Sequence, residues 1–481
     1  MTEERQRTGF GISLKIGAVL CFTIMGALIK GTEGRVPTGE VVFFRSFFAI
    51  PIMIGWLAYV GQLHEGVRTS RPFGHMWRGF IGTTAMGLMF TALTLLPLPE
   101  VTALLAELGM ADKQIATTGA RPLIYSEDRL HPLPKDTVNV CPSRPDALVG
   151  LVDDATIRWM RDEPGRPFSW RTGADPTVAE LVGDRFGEQV VVRSVDPLLA
   201  GVYAGSAATI GIRAAAPTVA TALDRGARNL TEAVTTALPP PAPGSVFGAV
   251  DGGYTVLLDE LVRRSGLRWA QIGVRTLMPA QRGWDVVDDD GQRWPADAVV
   301  LAVPAPRLPA LIGDLAPESA AAAATITVAS AAVVALALPG GTPLPEQSGV
   351  LVAGRTRLHA KAVTLSSRKW GRRGSTEMVR LSYGRLGDDI ARGAGDDELL
   401  AWAEQDLAQL FDVHVQPVES RVVRWIDAMP QYGPGHADVV GRIRAGLPPR
   451  LAVAGAYLDG IGVPACVAAA TRAAAALVRA G

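Results

Sequence analysis

Cysteine is scarce in these 481 residues: Cys21, Cys141 and Cys466 are all there is. No two stand at the spacing of a metal clip or a redox pair. That removes disulfide scaffolds and reads as reduced thiols in an intracellular protein. Histidine is nearly as sparse, with six residues (64, 75, 131, 359, 414, 436) and no ligand motif, so no metal is expected. Excess charge is also missing. Lys+Arg and Asp+Glu both total 47, which gives no electrostatic reason to expect nucleic acid. The absence with most consequence is a glycine pattern. Nowhere does a strand run into Gly-x-Gly-x-x-Gly, then a helix, then an acidic residue about 20 positions on, the unit that cradles a dinucleotide. Gly9 and Gly11 form a Gly-x-Gly, but no strand precedes them and no third glycine follows in place.

Hydrophobic residues reach 48% and the mean hydropathy is +0.20, high for a soluble chain. Much of this sits near the start, in apolar spans at 11–29, 41–60 and 80–98. Each is close to the ~20 residues that cross a bilayer as a helix. A signal peptide does not fit, because no small-residue cleavage site follows and two more spans do. Arg45 lies inside the second span, where it faces a protein interior or snorkels to the interface. Arg5, Arg7 and Lys15 flank the first span, and Arg68, Arg71 and Arg78 precede the third. The positive-inside rule puts the N-terminus inside and the end of the third span outside. The expectation is a membrane protein tethered through residues 11–98.

After residue 104 the membrane pattern stops. Residues 175–235 read as helices broken by Gly and Pro, and LPPPAPGS (238–245) reads as a linker. Strands are expected at 269–274, 284–287 and 298–303, around a helix in GYTVLLDELVRR. Further strands are expected at 331–338, 378–383 and 421–425, with a helix near 396–411. The last stretch, LAVAGAYLDGIGVPACVAAATRAAAALVRAG, opens with a strand at 451–454. Gly455, Gly460 and Gly462 then allow a tight turn, and an Ala-rich helix follows from Pro464. A strand, a Gly turn and a helix N-terminus bring free N–H groups and the helix dipole to one place, which suits an electron-rich ligand. The whole reads as α/β or α+β, with a nucleotide-binding layer assembled from separated stretches.

Several blocks resemble the protoporphyrinogen/coproporphyrinogen III oxidase family of FAD enzymes, in that family's order. They are RPLIYSEDRLHPLP (121–134), SVDPLLAGVYAGSAATIGIRAAAP (194–217), VFGAVDGGYTVLLDELVRR (246–264), DAVVLAVPAPRL (297–308), LSSRKWGRR (365–373), MPQYGPGHADVV (429–440) and AGAYLDGIGVPACV (454–467). The resemblance covers residues 105–481 and is closest to the actinobacterial type. It implies an α/β flavoprotein, Rossmann-like and amine-oxidase-like; this sequence departs from that pattern in lacking the N-terminal βαβ unit and in carrying three expected transmembrane helices in front. It implies domains at 105–245 (largely helical, substrate or membrane side), 246–305 (part of the FAD domain), 306–445 (substrate binding) and 446–481 (C-terminal FAD strand and helix). It also implies hydride transfer from a porphyrinogen to FAD, reoxidised by oxygen, with product handed to a haem-pathway chelatase. FAD contacts carry over to Val274, Ala456, Ile461, Gly462 and Val463, and a substrate propionate to Arg121. No catalytic side chain is required, because the cofactor carries the chemistry. The oxidase part alone would be cytoplasmic.

Residues 1–104 instead resemble the first three helices of EamA-type drug/metabolite permeases, through EVVFFRSFFAIP and ALTLLPLPEVTAL. Such permeases need more helices than three, so an incomplete transporter or a non-functional fusion are the competing readings, and the chain reads as a chimera joined near 101–105. Each site residue also has a plainer reading. Val274 would be a core valine, the 456–463 turn a helix cap, and Arg121 a surface arginine. His131, His359 and His436 resemble bases the chemistry does not need, and Lys361 and Lys369 read either as charge for an acidic substrate or as solvated lysines.

Overall fold

The computed structural model describes residues 99–239, 247–354, 356–371 and 374–480. The chain divides into two compact units, Met1–Pro99 and Glu100–Gly481, and the second is described here. The apolar spans at 11–29, 41–60 and 80–98, and most of the 238–245 linker, lie outside the described residues. Among the described residues, no helix is long and apolar enough to cross a membrane.

The described part opens with α1 (Pro99–Glu107) and β1 (Gln114–Ala116). β2 (Leu123–Ser126) and β3 (Arg129–Pro132) form a hairpin closed by Glu127 and Asp128. Both turn residues take positive φ, 52° and 58°. A two-residue turn of this hand matches the right-handed twist of the strands it joins.

A helical layer follows: α2 (Asp154–Arg161), α3 (Val178–Phe186), α4 (Asp196–Tyr203), α5 (Pro217–Asp224) and α6 (Leu230–Ala237). Local sequence starts α3. Thr177 Oγ accepts from the Glu180 amide at 3.2 Å, and the Glu180 carboxylate accepts from the Thr177 amide at 2.8 Å. That reciprocal cap satisfies two orphan donors at once. A buried ion pair ties the layer together. Arg185 Nε meets Glu163 Oε1 at 2.8 Å, and Glu163 also accepts from the amides of Leu230 and Thr231 at the start of α6. Every strong acceptor of this buried carboxylate therefore has a donor, the condition under which a buried charge is tolerated.

β4 (Gly248–Val250) pairs antiparallel with β1 and leads into α7 (Tyr254–Ser265). Leu257 of α7 packs with Leu105 and Val250 in a small cluster. Next come β5 (Val274–Pro279), β6 (Trp284–Asp288) and β7 (Arg293–Ala296), a three-stranded antiparallel sheet. β8 (Val299–Leu301) and α8 (Pro317–Ala324) follow.

The largest sheet is built from β9 (Val328–Pro339), β10 (Gly349–Val352), β11 (Ala362–Leu365), β12 (Thr376–Tyr383) and β13 (Glu419–Pro430). Its seven strands run in the order β13-β9-β12-β11-β10-β2-β3. Between Ser366–Trp370, a short helix α9, and β13 lies α10 (Asp396–Phe411). Leu399, Ala403, Leu407 and Leu410 recur at helical spacing and pack α10 onto one face of the sheet. α11 (His436–Ala445) then packs with α8 beneath β14 (Leu451–Val453), and α12 (Ala456–Asp459) and α13 (Val463–Ala480) close the chain.

β14 pairs parallel with β8, Val300 opposite Ala452, and β8 has no further strand partner among the described residues. Val300 is 42% exposed. Parallel strands occur almost only in larger sheets covered on both faces. Among the described residues this parallel pair stands as a two-stranded sheet.

Candidate functional site

The C-terminal turn is built by two glycines. β14 is buried throughout and runs into Gly455, where φ is 149° and an added Cβ would sit 2.8 Å from the Tyr457 ring. At Gly460 φ is 154°, and a Cβ would meet the Ala465 methyl at 2.9 Å. Both positions sit at backbone angles that side chains rarely adopt. Ala456, Ile461, Gly462 and Val463 therefore come together on one turn, which ends at the N-terminus of the 18-residue helix α13.

Side chains from the end of β13 and the start of α11 hold that turn. Tyr432 Oη donates to the Ala456 carbonyl, and His436 Nε2 lies 3.0 Å from the Leu458 carbonyl. The rings of Tyr432 and His436 stand edge to face with centroids 4.6 Å apart, and Tyr203 of α4 meets Tyr432 the same way at 5.7 Å. Burial holds the His436 pKa below the ordinary value, opposed by its bond to Leu458. Asp459 closes the turn between Arg444 and Arg472. Burial raises its pKa, but the two guanidiniums outweigh that and leave it low. Tyr457 Oη and Gln431 Oε1 are buried with no hydrogen-bond partner.

The other expected residues fall elsewhere. Val274 begins β5 and is 43% exposed, opposite the buried Asp288. It borders a recess of about 340 Å³ with Trp269, Ile272, Val286 and Trp294. Arg121 is exposed, and its guanidinium reaches the carbonyls of Leu133 and Pro134 at 3.5 and 3.3 Å. It braces the loop after its own hairpin. His131 Nε2 lies 3.2 Å from the Ser126 carbonyl, and His359 stacks on Trp402 beside Asp406. Lys361 is buried, donates to the Gly384 carbonyl, and has its pKa pushed down to about 8 by burial. It is neither solvated nor presented to a ligand. Lys369 is half-buried beside the rings of Phe247 and Trp370. Sequence reasoning singled out MPQYGPGHADVV as a block, but did not find that Tyr432 and His436 hold the turn more than 20 residues downstream.

The flavin containing amine oxidoreductase family matches residues 87–478. The chain belongs to that family. It is 64% identical over 382 residues to the coproporphyrinogen III oxidase of Mycobacterium tuberculosis, covering 79% of this chain and 84% of that one. The coproporphyrinogen III oxidase of Mycobacterium leprae is 63% identical over 379 residues. A solved structure from Exiguobacterium sp. 255-15, provisionally named a protoporphyrinogen oxidase, matches at TM-score 0.70 and 25% identity, over 79% of this chain and 85% of that one. These findings give an amine-oxidase-like α/β flavoprotein fold with FAD as its cofactor. They lend no support to the permease or chimera readings of residues 1–104, and the family match itself begins within the third apolar span.

The residues present fit FAD at one end. The Gly455–Gly460 turn, the α13 N-terminus and the two buried oxygens without a partner, Tyr457 Oη and Gln431 Oε1, make a polar, close-approaching cradle. The pyrophosphate end has no Gly-rich turn in the sequence to match it.

Proposed function

We propose that this chain oxidises coproporphyrinogen III to coproporphyrin III, with oxygen as the final acceptor. The observation that carries the reading is the 64% identity over 382 residues to a coproporphyrinogen III oxidase, on a body that keeps the C-terminal turn intact. When bound, FAD supplies the hydride-accepting chemistry, and oxygen leaves as hydrogen peroxide.

The chain's own residues position and shield. Ala456, Ile461, Gly462 and Val463 would line the isoalloxazine end, where α13 amides favour developing negative charge. Tyr432 and His436 fix the carbonyls of that turn, so it needs no reorganisation when a flavin docks. Val274 and its recess would take the adenine end, and Arg121 would meet a propionate with the donors its loop leaves free. On this reading residues 246–305 and 446–481 form the cofactor side, and 105–245 and 306–445 the substrate side. Hand-over to a haem-pathway chelatase and a membrane tether through residues 11–98 belong to the same proposal.

The test is direct. Full-length chain, extracted and supplied with FAD, should turn coproporphyrinogen III into fluorescent coproporphyrin faster than the spontaneous reaction. A rate equal to the enzyme-free control, from folded protein, contradicts the reading. Resistance of the chain to alkaline carbonate extraction from membranes tests the tether.

A further inference from the structure

The two residues that hold the C-terminal turn, Tyr432 and His436, are joined by Gly433, Pro434 and Gly435. None of these three has a polar side chain, and Pro434 has no amide hydrogen. Gly435 stands at φ 75° where α11 begins, and no side chain caps that helix start. A glycine on each side of a proline gives the chain wide backbone freedom and little of its own to restrict it. The His436 amide donates to the Gly433 carbonyl at 3.1 Å, which closes the bend but does not aim it.

The aiming bonds come from the helical layer. Gln431 Nε2 donates to the Tyr203 carbonyl of α4 at 2.8 Å, and the Gly211 amide donates to the Tyr432 carbonyl at 2.9 Å. The third tie is Asp175, half-buried in the loop before α3 and 260 residues earlier in the chain. Its Oδ2 accepts from the Gly435 amide at 2.8 Å, and its Oδ1 accepts from the Arg213 amide at 2.9 Å. Arg213 in turn donates through Nε to the Ala174 carbonyl at 2.9 Å and pairs with Asp224 at 2.8 Å. Asp224 also accepts from the Trp170 ring N–H and the Gly173 amide. The backbone beside Asp175 is fixed as well, because the Ile212 amide donates to the Pro176 carbonyl and the Val178 amide to the Ile210 carbonyl, both at 2.9 Å. Packing there is close: a Cβ added at Gly211 would lie 2.8 Å from Asp175 Oδ1. Of these three ties, the one from Asp175 uses a charged acceptor, which makes the stronger bond.

We infer that Asp175 is a positioning residue for the C-terminal turn: from the helical layer it fixes Gly435, and through Tyr432 and His436 it sets where the Ala456 and Leu458 carbonyls stand. The proposal rests on the reading of that turn as the isoalloxazine end of the cofactor site. It adds a residue from outside the stretches which that reading gives to the cofactor. Asp175 acts through other residues, its carboxylate on Gly435 and then His436 on Leu458. A turn held this way depends on the order of the helical layer as well as on its own glycines.

The first measurement needs no flavin: amide hydrogen exchange of the full chain, read by mass spectrometry. Asp175→Asn keeps the size of the side chain but turns an N–H donor toward one of the two amides. Exchange at 432–436 and 455–463 should speed up about tenfold, the loss of one charge-assisted hydrogen bond. Gly211→Ala, whose methyl presses on the carboxylate, should loosen the same two stretches. Asn229→Ala removes the side chain that accepts from the Glu232 amide and caps α6, a loss of like kind in the same layer, and should leave both stretches as they are. Faster exchange confined to 174–178 and 211–215 in Asp175→Asn would overturn the proposal. So would equal loosening of the turn by Asn229→Ala. The second measurement is FAD release from the loaded chain. Asp175→Asn should release FAD about tenfold faster, with the KM for coproporphyrinogen III held within about twofold. Release at the wild-type rate would sink this inference alone. A wild-type chain that takes up no FAD while the exchange pattern holds would sink the flavin reading and keep Asp175 in its positioning role.

Discussion

The Tyr432 hydroxyl donates to the Ala456 carbonyl, joining the end of the large sheet to the turn that opens the last helix. Tyr432 also packs on Tyr203 and His436, so one ring couples the helical layer, the sheet and the C-terminal turn. Tyr432→Phe keeps the ring and removes the donor. It should cost about 1 kcal/mol of stability and weaken flavin retention, with little change in circular dichroism. Thermal melts with and without added FAD check both effects.

His436 makes the same turn sensitive to acid. Its pKa is lowered in the folded state, so folding favours the neutral ring. The stability it contributes is complete above the ordinary histidine value of ~6.5 and is lost as pH falls through the folded pKa. Melting temperature should therefore drop below about pH 6.5 more steeply in wild type than in His436→Gln. Identical acid limbs in the two proteins would contradict this role.

The Glu163–Arg185 pair predicts the largest single loss. Burial raises the Glu163 pKa, but bonds from Thr231, Arg185 and Leu230 outweigh it and leave the carboxyl below its usual range. The stability it supplies is present above the unfolded carboxylate value and disappears as pH falls through the folded one. Glu163→Ala strands Arg185 in the core and should cost about 3–5 kcal/mol. Denaturant titration at neutral pH measures it.

Gly460→Ala tests the turn geometry. The strained φ and the contact with Ala465 should cost about 1–3 kcal/mol and displace the start of α13. Flavin binding should fall with it. An unaltered melt would mean that the turn is looser than its geometry indicates.

Much of the fold was legible where pattern and length agreed. The expected helix near 396–411 is Asp396–Phe411, and the expected strand at 331–338 lies within Val328–Pro339. Where the pattern was local and short the reading slipped. Residues 269–273 were expected as strand but lie outside it, because β5 starts only at Val274, beside exposed Trp269. The turn glycines announced themselves through spacing. Tyr432 and His436 did not, since their work is a contact with residues distant in sequence. Lys361 read as a lysine near a basic block, and only the sheet shows it buried against Gly384.

The missing Gly-x-Gly-x-x-Gly pattern gives a prediction about ligand choice. On the proposed reading the Gly455–Gly460 turn serves the isoalloxazine side, and no Gly-rich turn in the sequence serves the pyrophosphate side. Riboflavin should therefore bind almost as tightly as FAD, within about tenfold, whereas a complete dinucleotide fold gains much of its affinity from the phosphates. Isothermal titration with both ligands makes the comparison.

The most direct test of the account is the flavin content of the full chain, purified after extraction and incubated with excess FAD. The measurement is the absorbance spectrum, followed by release of the flavin on denaturation. The account predicts saturable uptake approaching one flavin per chain, reduced in Tyr432→Phe and Gly460→Ala. A folded chain that takes up no flavin at all would contradict it.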